Sequence, residues 1–192
     1  MIIVNRDLLT KEFTSRLLFY KEQFSCFINE DNIMPKVIDS VVHSLSIGGT
    51  IFCAGNGGSM ADSLHFTAEL VGRFETERRS LPAVSLGANL SSLTAIANDY
   101  DYSLSFSREL NALATDKDVV LLLSTSGNSQ NIVSTAETAL SIGCQVYGFT
   151  GSKPSRLSQQ IPCVQVGSSR TALVQEMHGI LLHIICSAID AT

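Results

Sequence analysis

Nowhere in this sequence do lysines and arginines gather into a block. The 13 basic residues are spread among 18 acidic ones, giving a formal net charge of −5 over 192 residues. Without a concentrated positive surface, the electrostatic footprint of a nucleic-acid binder is missing, and no nucleic-acid partner is expected. Paired cysteines are missing too. Cys26, Cys53, Cys144, Cys163 and Cys186 are scattered, odd in number and never spaced as CxxC. That argues against a disulfide frame or a thiolate metal site and for reduced thiols in a cytoplasmic chain. No apolar run is long enough to span a bilayer, so no membrane partner is expected. The opening MIIVNRDLLTKEF places charges where a secretory signal needs a long apolar stretch. Linkers, low-complexity segments and long repeats are also lacking. What remains is a chain with 45% hydrophobic and 16% charged residues, enough to bury a full core in one domain over 1–192.

Residues 7–27 carry Leu9, Phe13, Leu17, Tyr20 and Phe24 at helical spacing. A second helix is expected over about Asp31–Leu45, closed by Gly48 and Gly49, with Pro35 tolerated in its first turn. These make an N-terminal helical pair over 1–48. From 49 to 192 a strand–helix rhythm takes over. Strand candidates lie at Thr50–Ala54, Ala83–Leu86, Asp118–Leu123, Gln145–Phe149 and Cys163–Val166. Helical stretches fall between and after them, at about Ser59–Phe74, Asn89–Asn98, Ser103–Ala114, Ser129–Ile142 and Thr171–Ile189. Alternation of this kind implies parallel strands with right-handed crossovers, and short apolar strands imply burial on both faces. The expected fold is a three-layer α/β/α sandwich.

Two loops sit where strands end and helices begin: Gly55-Asn56-Gly57-Gly58-Ser59 and Ser124-Thr125-Ser126-Gly127-Asn128-Ser129. Ligands of α/β sheets bind outside the carboxyl ends of the strands. Glycines let backbone N–H groups approach an anion, and a helix start adds partial positive charge. The second loop offers four hydroxyls and no carboxylate, which suits a phosphate monoester. Ordinary turn and capping chemistry explains either loop taken alone; two together favour an anion site. Neither matches GxxxxGK[ST] or GxGxxG, which weakens the nucleotide readings.

On the helix behind the first loop, Asp62, His65 and Glu69 fall near one face. His65 and Glu69, at i and i+4, can share a metal ion or simply form a weak surface pair. On the last helix, His178 and His183 diverge by roughly 140° and do not share a site. Gln175 and His183 lie about 12 Å apart along the axis, and spacing alone gives no reason to join them.

GNGGS at 55–59, HFTAEL at 65–70, LTAIANDY at 93–100, STSGNS at 124–129 and QEMH at 175–178 occur in that order. Together they resemble the sugar isomerase (SIS) family, and within it the phosphoheptose isomerases, across nearly the whole chain. The resemblance implies a five-stranded parallel sheet and a homotetramer with sites at subunit interfaces. It implies a ketose–aldose isomerase acting on a phosphosugar substrate. That enzyme converts sedoheptulose 7-phosphate to D-glycero-D-manno-heptose 7-phosphate through an enediol. The reaction opens ADP- and GDP-heptose synthesis for surface glycans such as lipopolysaccharide. Carried over by motif, His65, Glu69, Gln175 and His183 would hold Zn2+, with Glu69 as carbon base and His183 as proton-transfer partner. The substrate contacts implied are Asn56, Gly57, Gly58, Ser59, Asp62, Arg73, Asn98, Asp99, Ser124, Thr125, Ser126, Ser129 and Gln175. The chain departs from the family pattern at Met60, Ser152-Lys153-Pro154, Arg170 and Leu173. FETERRSLPAV at 74–84 and LTAIAND at 93–99 also resemble non-enzymatic SIS proteins that bind the bacterial replication initiator as tetramers. Such a protein needs neither Glu69 nor His183. Isomerisation of another phosphosugar is the third reading.

Overall fold

A computed structural model describes residues 6–29 and 32–192, in two compact units that divide after Asn32. The first holds helix α1 (Arg6–Asn29), longer by a residue or two at each end than the spacing predicts. Many of its apolar side chains stand in solvent, among them Leu8, Phe13, Leu18 and Ile28.

The second unit opens with α2 (Met34–Ser46), with Pro35 in its first turn. Asp31, where the sequence places the start of this helix, lies outside the described residues. The helix therefore groups with the sheet and not with α1. Five strands follow: β1 (Ile51–Gly55), β2 (Ala83–Ser85), β3 (Val119–Leu123), β4 (Gln145–Thr150) and β5 (Cys163–Gln165). They form one parallel sheet in the order β2-β1-β3-β4-β5. The intervening helices are α3 (Gly58–Val71), α4 (Leu90–Asp99), α5 (Ser105–Leu113), α6 (Gln130–Ile142), α7 (Arg156–Gln160) and α8 (Thr171–Asp190). The expected helix over 103–114 resolves into a 3-10 turn, Tyr102–Leu104, and α5, because the Asp101 side chain caps the turn by accepting from the N–H of Ser103. Helix α7 has no counterpart among the expected elements. At five residues it is too short to show a period, and a capping box between Ser155 and Ser158 carries it.

Each strand presents alternate residues to opposite layers. Phe52, Ala54, Val120, Leu122 and Val146 pack with Phe106, Leu110, Ile132, Ala136 and Leu157 from α5, α6 and α7. The other face meets α2, α3 and α8. There the Tyr147 hydroxyl lies 2.7 Å from Ser40 Oγ, and the Phe149 ring meets His178 edge-on at 5.9 Å. β1 and β3 are wholly buried, as burial from both faces requires. All five cysteines are free thiols, and burial pushes Cys53 and Cys186 up to about 12, far from the thiolate range.

One expectation needs correcting. α8 is long and apolar enough, at 20 residues and a mean hydropathy of 1.5, to cross a membrane by length and composition. An uninterrupted apolar run is missing because Gln175, Glu176, His178 and His183 punctuate it, yet the average stays high. Half of that window is buried inside the protein, as in a core helix.

Candidate active site

The sheet reverses its winding between β1 and β3, the place where α/β sheets open a crevice. Parallel register sets Gly55 beside Leu123, so the two loops emerge side by side. A cleft of about 280 Å³ lies between them. Ser124, Thr125, Ser126 and Ser129 line one wall, Asn56–Ser59 the other, and Thr171 and Gln175 from α8 close it. No carboxylate lines it, which is what an anionic ligand needs.

Both loops are braced. Gly57, at φ +57°, turns the chain into α3 with a backbone that side chains avoid. Behind it Asn56 and Asn131 exchange reciprocal amide hydrogen bonds at 2.9 Å, and the Tyr102 hydroxyl donates to Asn56 Oδ1 at 2.8 Å. In the second loop Gly127 takes φ +63°, and a Cβ there would run into the Ser155 hydroxyl. Its N–H donates to the Ser124 carbonyl and hydroxyl at 3.0 and 3.1 Å. Asn128 Oδ1 accepts from the N–H of Arg156 at 3.0 Å. Asn131, Tyr102 and Ser155 were not among the expected site residues. Asn131 directly follows STSGNSQ, and that adjacency was the only signal for it.

Gln175 spans the cleft towards the first loop. Its amide N–H donates to Ser59 Oγ at 3.4 Å, and a Cβ on Gly58 would come within 2.7 Å of that amide. Gly58→Ala is therefore expected to swing the flexible Gln175 end away with the backbone in place. Thermal melts should show unchanged stability, while titration shows phosphosugar affinity weakened by about tenfold, or about 1.4 kcal/mol.

The second cluster forms where α3 packs on α8. His65 Nε2 lies 3.0 Å from Glu69 Oε1, one helical turn on. His183 comes across from α8, its ring edge-on to His65 at 5.0 Å between centroids. Ligand atoms of His65, Glu69 and His183 all lie within 4.8 Å of one another. Phe74 covers the other side of His183 at 5.3 Å. Glu69 is 23% exposed at its side chain, so solvent and substrate can both reach it. Asp62, a turn before His65, has a buried Oδ2 with no partner, and burial raises its pKa against the opposing pull of His65. A carboxylate and two imidazoles so placed can move protons or hold a divalent ion. One oxygen and two nitrogen donors are a set zinc accepts, so these residues fit that ion.

Arg73, Asn98 and Asp99 neither line the cleft nor belong to the His65–Glu69–His183 group. Asn98 donates to Asp99 at 2.8 Å at the exposed end of α4. Arg73 is 60% exposed and lies 3.9 Å from Glu77, the spacing of a surface pair. His178, five residues before His183, is fully buried against Phe149 and does not join the His65 cluster.

A phosphate-type cleft at the switch point of a parallel sheet, with a His–Glu–His cluster beside its first helix, defines a phosphosugar-handling α/β domain. The chain belongs to the SIS domain family, whose sequence profile matches residues 24–151. Its relatives include the probable phosphoheptose isomerase of Thermoplasma acidophilum, 44% identical over 155 residues, covering 80% of this chain and 85% of the relative. The phosphoheptose isomerase of Thiobacillus denitrificans is 43% identical over 168 residues, 84% of this chain and 85% of the relative. Among solved structures, the phosphoheptose isomerase of Neisseria gonorrhoeae superposes with a TM-score of 0.89 at 30% identity, covering 97% of this chain and 99% of that one. That of Francisella tularensis gives 0.91 at 29% identity, covering 99% and 100%.

Proposed function

We propose that this chain isomerises sedoheptulose 7-phosphate to D-glycero-D-manno-heptose 7-phosphate. The observation that carries the reading is the convergence of His65, Glu69 and His183 from two helices beside an anion cleft. The substrates named for the relatives are phosphoheptoses, and the cleft chemistry suits their phosphate. The two parallel loops would grip that phosphate and spend its binding energy on orienting the far end of the sugar.

The reaction moves one proton between carbons and one between oxygens. The Glu69 carboxylate takes a proton from C1 of the ketose, and the electrons form the C1–C2 double bond of an enediol. His183 shuttles the proton between the two oxygens. Glu69 returns a proton to C2, leaving the aldehyde at C1. His65 holds Glu69 in place through the 3.0 Å contact. A zinc ion held by His65, Glu69 and His183, with Gln175 added by the family resemblance, would polarise the substrate oxygens; because a zinc-bound carboxylate loses basicity, Glu69 would have to leave the ion to act as base. On this reading, dialysis against a chelator abolishes turnover and added zinc restores it. Full activity in metal-free protein would remove the ion from the reaction.

The same reading assigns a homotetramer, for which the exposed apolar side chains of α1 offer contact surface to further copies. It treats α8 as a core helix of a cytoplasmic protein and places the product at the entry to heptose synthesis for surface glycans. A protein that only binds a replication initiator would not need the His65, Glu69 and His183 cluster. The test is a turnover assay on sedoheptulose 7-phosphate beside six-carbon ketose phosphates. Conversion of the seven-carbon substrate supports the proposal. Conversion of a six-carbon substrate alone would reassign the substrate, and no conversion with zinc present would favour the binding protein.

A further inference from the structure

The segment FETERRSLPAV at 74–84 is unused by the reaction just described, yet it is tied down more heavily than a surface loop requires. Its anchor is Asp190, the last residue of α8. Asp190 Oδ2 accepts from the backbone N–H groups of Glu75 and Thr76, each at 2.9 Å. Asp190 Oδ1 accepts from Arg78 Nε at 2.9 Å. The guanidinium then turns to the end of α3, donating to the carbonyls of Glu69 at 2.8 Å and Leu70 at 2.9 Å. Helix ends leave such carbonyls unmatched, and a forked cation satisfies two at once. Both side chains are largely withdrawn from water, at 14% exposed for Arg78 and 5% for Asp190.

Two turns back along α8 stands His183. Asp190 follows His183 by seven residues, two turns, so both project from one face of α8. Arg78 therefore fastens the backbone of Glu69 to the same face that presents His183. The same anchored segment begins with Phe74, whose ring lies against His183.

We propose that Asp190 and Arg78 are positioning residues: they lock α8 and the segment after α3 in register, and so set His183 against Glu69 and His65. The inference rests on the reading of those three as the reacting set. The N–H groups of Thr76 and Glu75 and the Arg78 guanidinium hold the Asp190 carboxyl down at about 2, so the clamp stays charged at any working pH.

The experiment compares full-length Asp190→Asn, Arg78→Lys and Phe74→Leu proteins with the wild type at a temperature where all are folded by circular dichroism. Asp190→Asn should lower kcat on the order of 10- to 100-fold, the penalty for slight misplacement of reacting groups. KM should stay within about twofold, because the phosphate cleft lies on other loops. Arg78→Lys keeps the charge but loses the fork, so it should lose kcat to a similar degree. Zinc affinity, read by competition with a chromophoric chelator, should fall with kcat. Phe74→Leu leaves both clamp residues intact and is the control: its zinc affinity should stay within about twofold of wild type, showing that loss of the ring against His183 is not what the clamp variants report. Arg78→Lys covers the case in which Asp190→Asn does not fold. Wild-type kcat and zinc affinity in folded Asp190→Asn or in Arg78→Lys, or a fall in zinc affinity in Phe74→Leu as large as in the clamp variants, would overturn the proposal. A wild type that converts no phosphosugar would instead sink the isomerase reading. The clamp would then be judged by zinc affinity and by the His183 to His65 separation in a structure of Asp190→Asn: a lasting 5.0 Å overturns it, displacement supports it.

Discussion

Glu69→Gln is expected to cut turnover on the order of 10³-fold while leaving phosphosugar affinity nearly intact. The amide keeps the size of the carboxylate and one acceptor oxygen for His65, so the 3.0 Å contact can survive. What it cannot do is take a proton from carbon, and a positioned general base contributes roughly 10²- to 10⁴-fold. The cleft that would hold the phosphate is built from the loops at 56–59 and 124–129, so substrate binding should persist. The measurement is a paired one, kcat by aldose formation and affinity by calorimetry. Near-normal turnover would take the base role from Glu69. Loss of affinity equal to loss of rate would mean that Glu69 binds substrate and does not act on it.

The second large effect concerns stability. Burial pushes His178 down to about 4, from an ordinary value near 6.5, against a weaker opposing pull from the Thr150 backbone. The unfolded chain therefore takes up a proton that the folded chain refuses. Stability from this site is complete above about pH 6.5 and is lost as pH falls towards 4, by about 3 kcal/mol for a shift of this size. Asp190 acts in the same direction in a lower window, below the ordinary carboxylate value and down to about 2. Asp62, raised by burial, opposes the trend. Urea unfolding at pH 7, 5.5 and 4 should show the loss, and His178→Phe, which puts an apolar ring in the same dry site, should flatten it. An equal slope in His178→Phe would show that other groups carry the acid response.

Much of this architecture could be read in the sequence, for physical reasons. Short, mostly apolar runs spaced by helical periods point to parallel strands, with the central ones buried on both faces. The anion loops were visible because glycine and hydroxyl clusters at strand ends have a narrow set of uses. The helix pair His65–Glu69 was visible as spacing, and the structure closes it to 3.0 Å. His183 was different. Nothing local links it to Glu69, and only the family resemblance brought it forward before the packing of α3 on α8 placed the rings 5.0 Å apart. Arg78 and Asp190 were silent for the same reason, being 112 positions apart and joined only by the fold. Helix α7 was missed because a five-residue helix set by its cap has no period. The apolar length of α8 was misjudged because Gln175, Glu176, His178 and His183 interrupt its apolar run while its mean hydropathy stays at 1.5.

The central claim is that a proton leaves C1 of the ketose on the Glu69 carboxylate and returns to C2. Turnover of sedoheptulose 7-phosphate in D2O tests it most directly, because a carboxylate 23% exposed exchanges its proton with solvent before returning it. NMR of the aldose should show deuterium bonded to C2, with none entering when Glu69→Gln is used. Product formed at full rate by Glu69→Gln, with deuterium still entering at C2, would contradict the role assigned to Glu69.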